Sequence, residues 1–181
     1  MTNVCVFCGS SPGTRPAFVE AATRLGEELA RAGHGLVFGG GNAGLMGAVS
    51  DGVLAAGGHV TGVIPQALMD REVGRTDIDD LRVVADMHER KSLMYELADA
   101  FVTLPGGLGT FEEFFETATW SQLGFHTKPS IVLNVDGYYA PLRELLDHAV
   151  ENGFVTAQNR ALFTVVDSVE EVLAVLGEKL G

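Results

Sequence analysis

The stretch Ala100-Phe-Val-Thr-Leu-Pro-Gly-Gly-Leu-Gly-Thr-Phe-Glu-Glu113 decides the fold of this 181-residue chain. Its first five residues are mostly apolar, as in a buried strand. Three glycines then permit a tight turn, and the pattern predicts that a helix begins at about Thr110. A buried strand that passes through a short turn into a helix is the repeating unit of an α/β protein with parallel strands.

The same strand–turn–helix unit recurs along the chain. Apolar runs predict further strands at Val4–Phe7, Leu36–Phe38, His59–Ile64, Leu81–Val84, Ser130–Asn134 and Leu162–Val166. Helical spacing predicts helices at Ala17–Arg31, from the glycine-rich run 39–47 to about Ala56, and at Met87–Ala98, Thr110–Leu123, Tyr138–Glu151 and Val169–Lys179. The segment Gln66–Asp80 is polar and irregular, and no element is predicted there. This alternation predicts a single domain over residues 1–181, with a Rossmann-like, doubly wound parallel sheet and helices on both faces.

Glycine-rich turns follow three of the predicted strands, at the sheet edge where such proteins bind ligands. In Pro105–Thr110 the glycines let backbone N–H groups turn toward one point, and the following helix adds its positive end. Thr110 can cap that helix or donate to a phosphate oxygen. Glu112 and Glu113 lie in its first turn. We therefore expect a nucleotide or another phosphorylated ligand, with a carboxylate beside it.

A second run, Gly39-x-Gly41-x-x-Gly44, formally matches the dinucleotide-binding fingerprint. That fingerprint also expects an acidic residue at the end of the next strand, to bind the ribose hydroxyls. Here the next strand ends in Thr61-Gly-Val-Ile-Pro65 and carries no carboxylate. The run is better interpreted as a tight turn that lets helix and sheet pack closely. The chain has no Gly-Lys-Ser/Thr sequence, which argues against a Walker-type nucleoside triphosphatase.

Two adjacent cations, Arg90 and Lys91, begin a helix just before the strand that leads into Pro105–Thr110. Arginine offers a planar fork for phosphate or carboxylate, and lysine offers a point charge. His88 is a candidate proton donor, although a packed or capping histidine is more common. No group of His, Cys, Asp and Glu has the spacing of metal ligands, so we predict no metal and no cofactor.

Composition narrows the class of partner. The net charge of −12 argues against DNA or RNA, because nucleic-acid binding depends on neutralising phosphates. No apolar stretch is long enough to span a membrane and no signal peptide is evident, so we expect a cytoplasmic protein. Cys5 and Cys8 have C-x-x-C spacing but lie in a strand-like run. Residues three apart in a strand face opposite sides, which favours buried, reduced thiols over a redox pair.

Two of these motifs carry a family resemblance. Met87-His-Glu-Arg-Lys91 and Pro105-Gly-Gly-Leu-Gly-Thr-Phe-Glu-Glu113 together resemble the LOG ("Lonely guy") family of cytokinin riboside 5′-monophosphate phosphoribohydrolases, formerly mislabelled lysine decarboxylases. The resemblance covers nearly the whole chain. It extends to Cys8-Gly-Ser-Ser11, Gly39–Gly47, Ile64-Pro65, Thr119-Trp-Ser-Gln-Leu-Gly124, and Leu133-Asn134 through Gly137-Tyr-Tyr139.

The resemblance implies an activity and a set of site residues. It implies hydrolysis of the N-glycosidic bond of an adenosine 5′-monophosphate, with either a plain or an N6-prenylated base, to the free base and ribose 5-phosphate. It implies that Arg90 and Glu113 are the catalytic pair. The implied nucleotide contacts are Glu72, Arg90, Lys91, Gly107, Leu108, Gly109, Thr110, Phe111, Glu112, Glu113 and Thr119. It also implies a homodimer with the helices around Phe114–Leu123 near the interface. At one position of the motif the chain differs from many relatives, which have tyrosine where this chain has Leu108.

Two alternatives remain at this level. Molybdenum-cofactor carrier proteins are similar in fold and have related glycine-rich loops, so a binding protein without turnover is one. A carrier would not need the pair Arg90 and Glu113, which argues against it. The other is a lysine decarboxylase, which would need pyridoxal phosphate on a lysine. Lys91 is the only lysine near the predicted site, and it lies where a phosphate contact is expected.

Overall fold

Seven strands form one parallel sheet in the order β4-β3-β2-β1-β5-β6-β7. The strands are β1 (Asn3–Phe7), β2 (Gly35–Phe38), β3 (Val60–Pro65), β4 (Asp80–Val84), β5 (Ala100–Thr103), β6 (Ser130–Leu133) and β7 (Thr164–Val166). The computed structural model describes residues 1–72 and 74–180, with side chains for all of these except residues 70–72. The chain runs outward from β1 to β4 and then returns beside β1 with β5. The predicted doubly wound sheet is therefore confirmed, and its topological switch point lies between β1 and β5.

Helices connect the strands and cover both faces of the sheet. They are α1 (Pro16–Arg31), α2 (Gly44–Ala55), α3 (Gln66–Glu72), α4 (Met87–Leu97), α5 (Leu108–Gln122), α6 (Ala140–Glu151), α7 (Ala157–Arg160) and α8 (Val169–Leu180), with a 3-10 turn at Val135–Gly137. Helices α1, α2 and α8 pack on one face, and α4 packs on the other. No helix in the described part of the chain is long and apolar enough to cross a membrane.

Alternation along the strands sorts the core into two layers. Val4 and Val6 of β1 join the cluster under α1 and α2, whereas Cys5 and Phe7 join the cluster under α4. Cys8 belongs to the first of these clusters, so the two cysteines lie on opposite faces of the sheet. Both are buried free thiols, as predicted from the strand periodicity.

The segment between β3 and β4 differs from the prediction, which placed no helix or strand there. Helix α3 fills its first half, although seven residues are too few for periodicity to reveal a helix. The second half is anchored by Arg75, whose buried guanidinium bonds to Asp77 and to the hydroxyl of Ser50 at 2.8 Å. The Arg75 amide also donates to the carbonyl of Gly40 at 2.9 Å. This segment is therefore tied to the turn that follows β2.

Several element ends also differ from the prediction. Helix α5 begins at Leu108, so Gly109 lies inside the helix instead of before it. The predicted helix from Tyr138 is preceded by the 3-10 turn, and α6 begins only at Ala140. Short α7 was not predicted. The differences in α5 and α6 fall at helix ends, where local propensity is weakest and tertiary contacts decide the boundary.

Candidate active site

A cavity of about 200 Å³ opens at the switch point of the sheet, between the turns that follow β1, β2 and β5. The turn after β1 contributes residues 8–10, and the turn after β5 contributes residues 107–110. Arg90 and Met94 enter from α4, Met46 from α2 and Glu113 from α5. The three glycine-rich turns that the sequence singled out therefore meet at one place.

The turn after β5 presents unpaired backbone donors to this cavity. Gly107 is the N-cap of α5, and no described side chain caps the helix. The amides of residues 108–110 are in the first turn, where no intrahelical acceptor exists. Gly106 packs so tightly that a Cβ there would lie 2.1 Å from Oγ1 of Thr110. Such a helix end is suited to an anion, and the packing at Gly106 requires glycine.

Arg90 is held at the cavity wall by backbone carbonyls. Its Nε donates to the carbonyl of Val63 at 3.1 Å, and its Nη2 donates to that of Gly39 at 2.8 Å. The residue is only 6% exposed. Of the carboxylates whose side chains the structure describes, none lies within 4 Å of this guanidinium. The result is a rigid positive charge beside the cavity.

Glu113 lies one helical turn after Leu108 and Gly109 and lines the same cavity. Burial raises the pKa of its carboxyl from an ordinary 4.5 to about 7, although the charge of Arg90 opposes that rise. The carboxyl therefore titrates close to neutrality, as suits proton transfer or charge stabilisation. The two residues of the implied catalytic pair share the cavity without a direct ion pair, so Arg90 acts on Glu113 through space.

Lys91 has other partners than the implied nucleotide. Its Nζ donates to Glu112 at 2.8 Å and to Glu116 at 3.3 Å, which ties α4 to α5. The hydrogen bond to Glu112 raises the pKa of Lys91. Neither Lys91 nor Glu112 is among the residues that line the cavity. Their predicted nucleotide contacts remain predictions, while the structure pairs them with each other.

The remaining predicted contacts fall in different places. Gly107, Gly109 and Thr110 line the cavity, and Leu108 stands at its rim, 87% exposed. Phe111 turns away from the cavity and packs against the ring of Tyr139. Three other predicted residues are outside the lining or the description: Thr119 is exposed further along α5, His88 is exposed at the start of α4, and the side chain of Glu72 lies outside the described residues.

Eight of the residues that line the cavity were not among the predicted site residues: Val6, Phe7, Cys8, Gly9, Ser10, Gly39, Met46 and Met94. Ser10 lies in the glycine-rich turn after β1, which the sequence analysis noted without assigning contacts. Met94 is four residues after Arg90 and so shares its helix face, a signal the sequence does contain. Met46 and Gly39 come from the second glycine-rich run. A Cβ at Gly39 would lie 2.0 Å from Nη2 of Arg90, so this glycine makes room for the guanidinium.

Comparisons with known proteins show the family of this chain. Residues 46–176 match the protein-family model described as "Possible lysine decarboxylase". The chain is 49% identical to cytokinin riboside 5′-monophosphate phosphoribohydrolase LOG7 of Arabidopsis thaliana, over 97% of this chain and 81% of that protein. It is also 49% identical to LOG5 of the same plant, a phosphoribohydrolase of the same name, over 94% of this chain and 75% of that protein.

A solved structure shares the fold at much lower identity. The molybdenum cofactor binding protein of Rippkaea orientalis superposes with a TM-score of 0.76 and 22% identity, covering 99% of this chain and 98% of its own. That likeness supports the architecture alone. The near-half identity to the phosphoribohydrolases, over almost the whole length, decides the family, and the chain belongs to the LOG family.

Proposed function

We propose that this protein hydrolyses the N-glycosidic bond of an adenosine 5′-monophosphate, with a plain or N6-prenylated base, to the free base and ribose 5-phosphate. One observation carries the proposal. A carboxyl group with a pKa near 7, a fixed guanidinium and an open helix N-terminus converge on one cavity. The relatives at 49% identity are named for this reaction on cytokinin riboside 5′-monophosphates.

The helix end would hold the substrate's 5′-phosphate. The first-turn amides of α5 and the hydroxyl of Thr110 are donors, and the helix adds its positive end. This phosphate-binding site lies away from the N-glycosidic bond that breaks. Binding energy from such a remote group can favour a distorted ribose and so lower the barrier.

Glu113 would act at the ribose. Cleavage of an N-glycosidic bond develops positive charge on the sugar, as glycoside hydrolysis does. The ionised carboxylate of Glu113 stabilises that charge, orients the ribose hydroxyls or activates water. Arg90 favours the ionised form of Glu113 through its charge and can also contact the nucleotide. The thioethers of Met46 and Met94 add an apolar surface suited to the base.

The direct test is product chromatography after incubation with AMP. The wild-type protein should release adenine and ribose 5-phosphate in equal amounts. Glu113→Gln should release no base above background while still binding the nucleotide, since the helix end is intact. Arg90→Ala should be nearly inactive. Intact AMP after prolonged incubation with wild-type protein would refute hydrolysis and favour a nucleotide-binding or molybdenum-cofactor-binding protein of the same fold.

The preferred base is tested by the same assay with a panel of substrates. AMP, GMP, CMP and isopentenyl-AMP should be compared at equal concentration. We expect the two adenine nucleotides to be cleaved fastest. Faster cleavage of GMP or CMP would remove adenine from the proposal while leaving the bond and the phosphate grip in place.

We also propose a homodimer in the cytoplasm. The stretch predicted to lie near a dimer interface divides in the structure: Phe114 is buried in the core, whereas Phe115 and Leu123 are 40% and 59% exposed. Phe125, just beyond, is 73% exposed, so α5 ends in an apolar surface that a second copy would cover. Light scattering should give about twice the monomer mass; Leu123→Glu with Phe125→Glu should give the monomer.

A further inference from the structure

Every carbonyl group of the turn after β5 is held by a donor. The carbonyl oxygens of residues 104, 105, 106 and 107 accept, in that order, from the hydroxyl of Tyr139, the amide of Gly9, the hydroxyl of Tyr138 and the amide of Phe111. The bond from Tyr139 measures 2.7 Å, and those from Gly9 and Phe111 measure 3.0 Å. Two of the four anchors are therefore hydroxyls of consecutive tyrosines.

This anchoring fixes where the amides of the turn point. In a planar trans peptide, the carbonyl of one residue and the N–H of the next point in opposite directions. Holding the carbonyl of Gly106 toward Tyr138 therefore turns the N–H of Gly107 the other way. Gly107 lines the cavity, and no described group accepts a hydrogen bond from its N–H. This N–H is therefore available to a phosphate in the cavity.

We propose that Tyr138 and Tyr139 are positioning residues of the phosphate site. Tyr138 orients the peptide that carries the N–H of Gly107, and Tyr139 fixes the start of the turn at Leu104. The inference rests on the proposed function in one respect, because it takes the anion at the helix end to be a nucleotide 5′-phosphate.

The segment before the two tyrosines is built to present them. Asp136 has a φ of +51°, a left-handed conformation unusual for a residue other than glycine. Backbone in such regions persists where surrounding contacts impose it, and it concentrates at functional sites. Here Asn134 supplies the contacts: its Oδ1 accepts from the Tyr139 amide at 2.8 Å, and its Nδ2 donates to Asp167 at 2.8 Å.

Packing alone does not account for Tyr138. Tyr139 is 2% exposed and belongs to a core cluster, so its ring also serves the fold. Tyr138 is 37% exposed, and its hydroxyl reaches across to the turn. A phenylalanine at this position would keep the ring contact with Phe18 and lose only the bond to Gly106. The substitution therefore separates orientation of the turn from stability.

The experiment compares Tyr138→Phe and Tyr139→Phe with the wild-type protein. Calorimetry gives the Kd for ribose 5-phosphate, and AMP hydrolysis gives kcat and KM. Tyr95→Phe is the matched control for phosphate binding, because its hydroxyl bonds to the side chain of Glu116 and the backbone carbonyl of Glu113 on α5 and not to the turn. We expect Tyr138→Phe to weaken ribose 5-phosphate binding about tenfold, the size expected for one hydrogen bond to a charged group. KM for AMP should rise by a similar factor with kcat within about twofold, and Tyr95→Phe should leave this Kd within about twofold.

Thermal unfolding separates orientation from folding. Tyr138→Phe should unfold within a few degrees of wild type while losing affinity. The positioning role is refuted if the affinity of Tyr138→Phe is unchanged. It is also refuted if the loss of affinity comes with a large fall in melting temperature, since the fold itself would then be damaged. Tyr139 is buried, so Tyr139→Phe could fail to fold. In that case Tyr138→Phe alone decides the question.

The outcome also separates this inference from the proposed function. If wild-type protein binds ribose 5-phosphate but leaves AMP intact, hydrolysis is wrong, and the comparison of Kd values still decides the role of Tyr138. If wild-type protein binds no ribose 5-phosphate, the positioning of a phosphate site is wrong even if base release is observed.

Discussion

Two glycine-rich turns in this protein look alike in sequence and use their glycines differently. Both follow a buried strand and lead into a helix. In the turn after β2, a Cβ at Gly39, Gly40 or Gly44 would meet protein atoms within 3.1 Å. In the turn after β5, Gly106 is packed in the same way, but a Cβ at Gly107, or at Gly109 in the first turn of α5, would meet nothing within 4 Å. The first turn needs glycine for internal packing at all three positions, whereas the second leaves open space on a cavity wall at two of its three glycines.

Glycine motifs of the same form can therefore meet different structural requirements. The pattern Gly-x-Gly-x-x-Gly reports a backbone that must pass close to something, and that something can be protein or ligand. After β2 it is largely protein: the guanidinium of Arg90 lies against Gly39, and Ser10 lies against Gly44. After β5 the freed space faces the anchored amides and Glu113. The end of β3 carries no acidic side chain that could bind ribose hydroxyls, which agrees with the packing interpretation of the first turn.

The largest effect that tests this comparison is expected from Gly39→Ala. The added methyl would lie 2.0 Å from Nη2 of Arg90 and must displace the guanidinium from the cavity wall. A misplacement of about 1 Å can cost about a hundredfold in rate, so kcat/KM for AMP should fall at least that far. Hydrolysis assays and thermal unfolding measure the change.

The control for Gly39→Ala is Gly177→Ala, in α8, where a Cβ, in contrast to one at Gly39, would meet nothing within 4 Å. It should leave kcat/KM within about twofold of wild type. Near-wild-type activity of Gly39→Ala would mean that Arg90 relaxes at no cost, and the turn after β2 would then have no packing role at the site.

The next effect concerns the carboxylate of Glu113, which lies in the helix that follows the second turn. Its pKa is about 7 in the folded protein against an ordinary 4.5, so the folded state binds this proton more tightly than the unfolded chain does. Its contribution to stability is complete below pH 4.5 and is lost as pH rises through about 7. Glu113→Gln cannot ionise and should be more stable than wild type at pH 8 by about 2 kcal/mol, a figure discounted for partial exposure.

Denaturant unfolding of the two proteins at pH 4 and pH 8 measures this difference. The two stabilities should converge at pH 4, apart from the change of hydroxyl to amide. For wild-type protein, kcat/KM should rise with pH around a midpoint near 7 if the carboxylate is the reactive form. Equal stabilities at pH 8 would show that burial does not perturb this group.

A part of the site could be predicted from the sequence where its pattern is local to one stretch of the chain. The strand, turn and helix around Pro105–Glu113 were predicted because periodicity and glycine placement are local properties. Arg90 and Lys91 were predicted to act together, yet consecutive helical residues point about 100° apart. Arg90 accordingly faces the cavity while Lys91 faces Glu112. Helical geometry could have separated them in advance.

Other parts of the site depend on contacts that no local pattern encodes. The bond from Tyr138 to Gly106 joins residues 32 apart, and that from Arg90 to Gly39 joins residues 51 apart. Arg75 is likewise a single charged residue in a polar segment, and only the fold reveals that it is buried against α2. These contacts were not predicted because they arise from tertiary packing.

The smallest effect is expected from Gly109→Ala, and its two parts should have opposite signs. Gly109 lies inside α5 with a negative φ and open space around it, so alanine should raise helix stability by about 0.5–1 kcal/mol. The same methyl would narrow the cavity where the phosphate is proposed to bind, raising KM for AMP about tenfold with little change in kcat. Gly177→Ala, also helical and open, should show the gain in stability without the change in KM. If Gly109→Ala gains stability and keeps its KM, the space beside the second turn is not the phosphate site, and the contrast between the two turns reduces to a difference in packing.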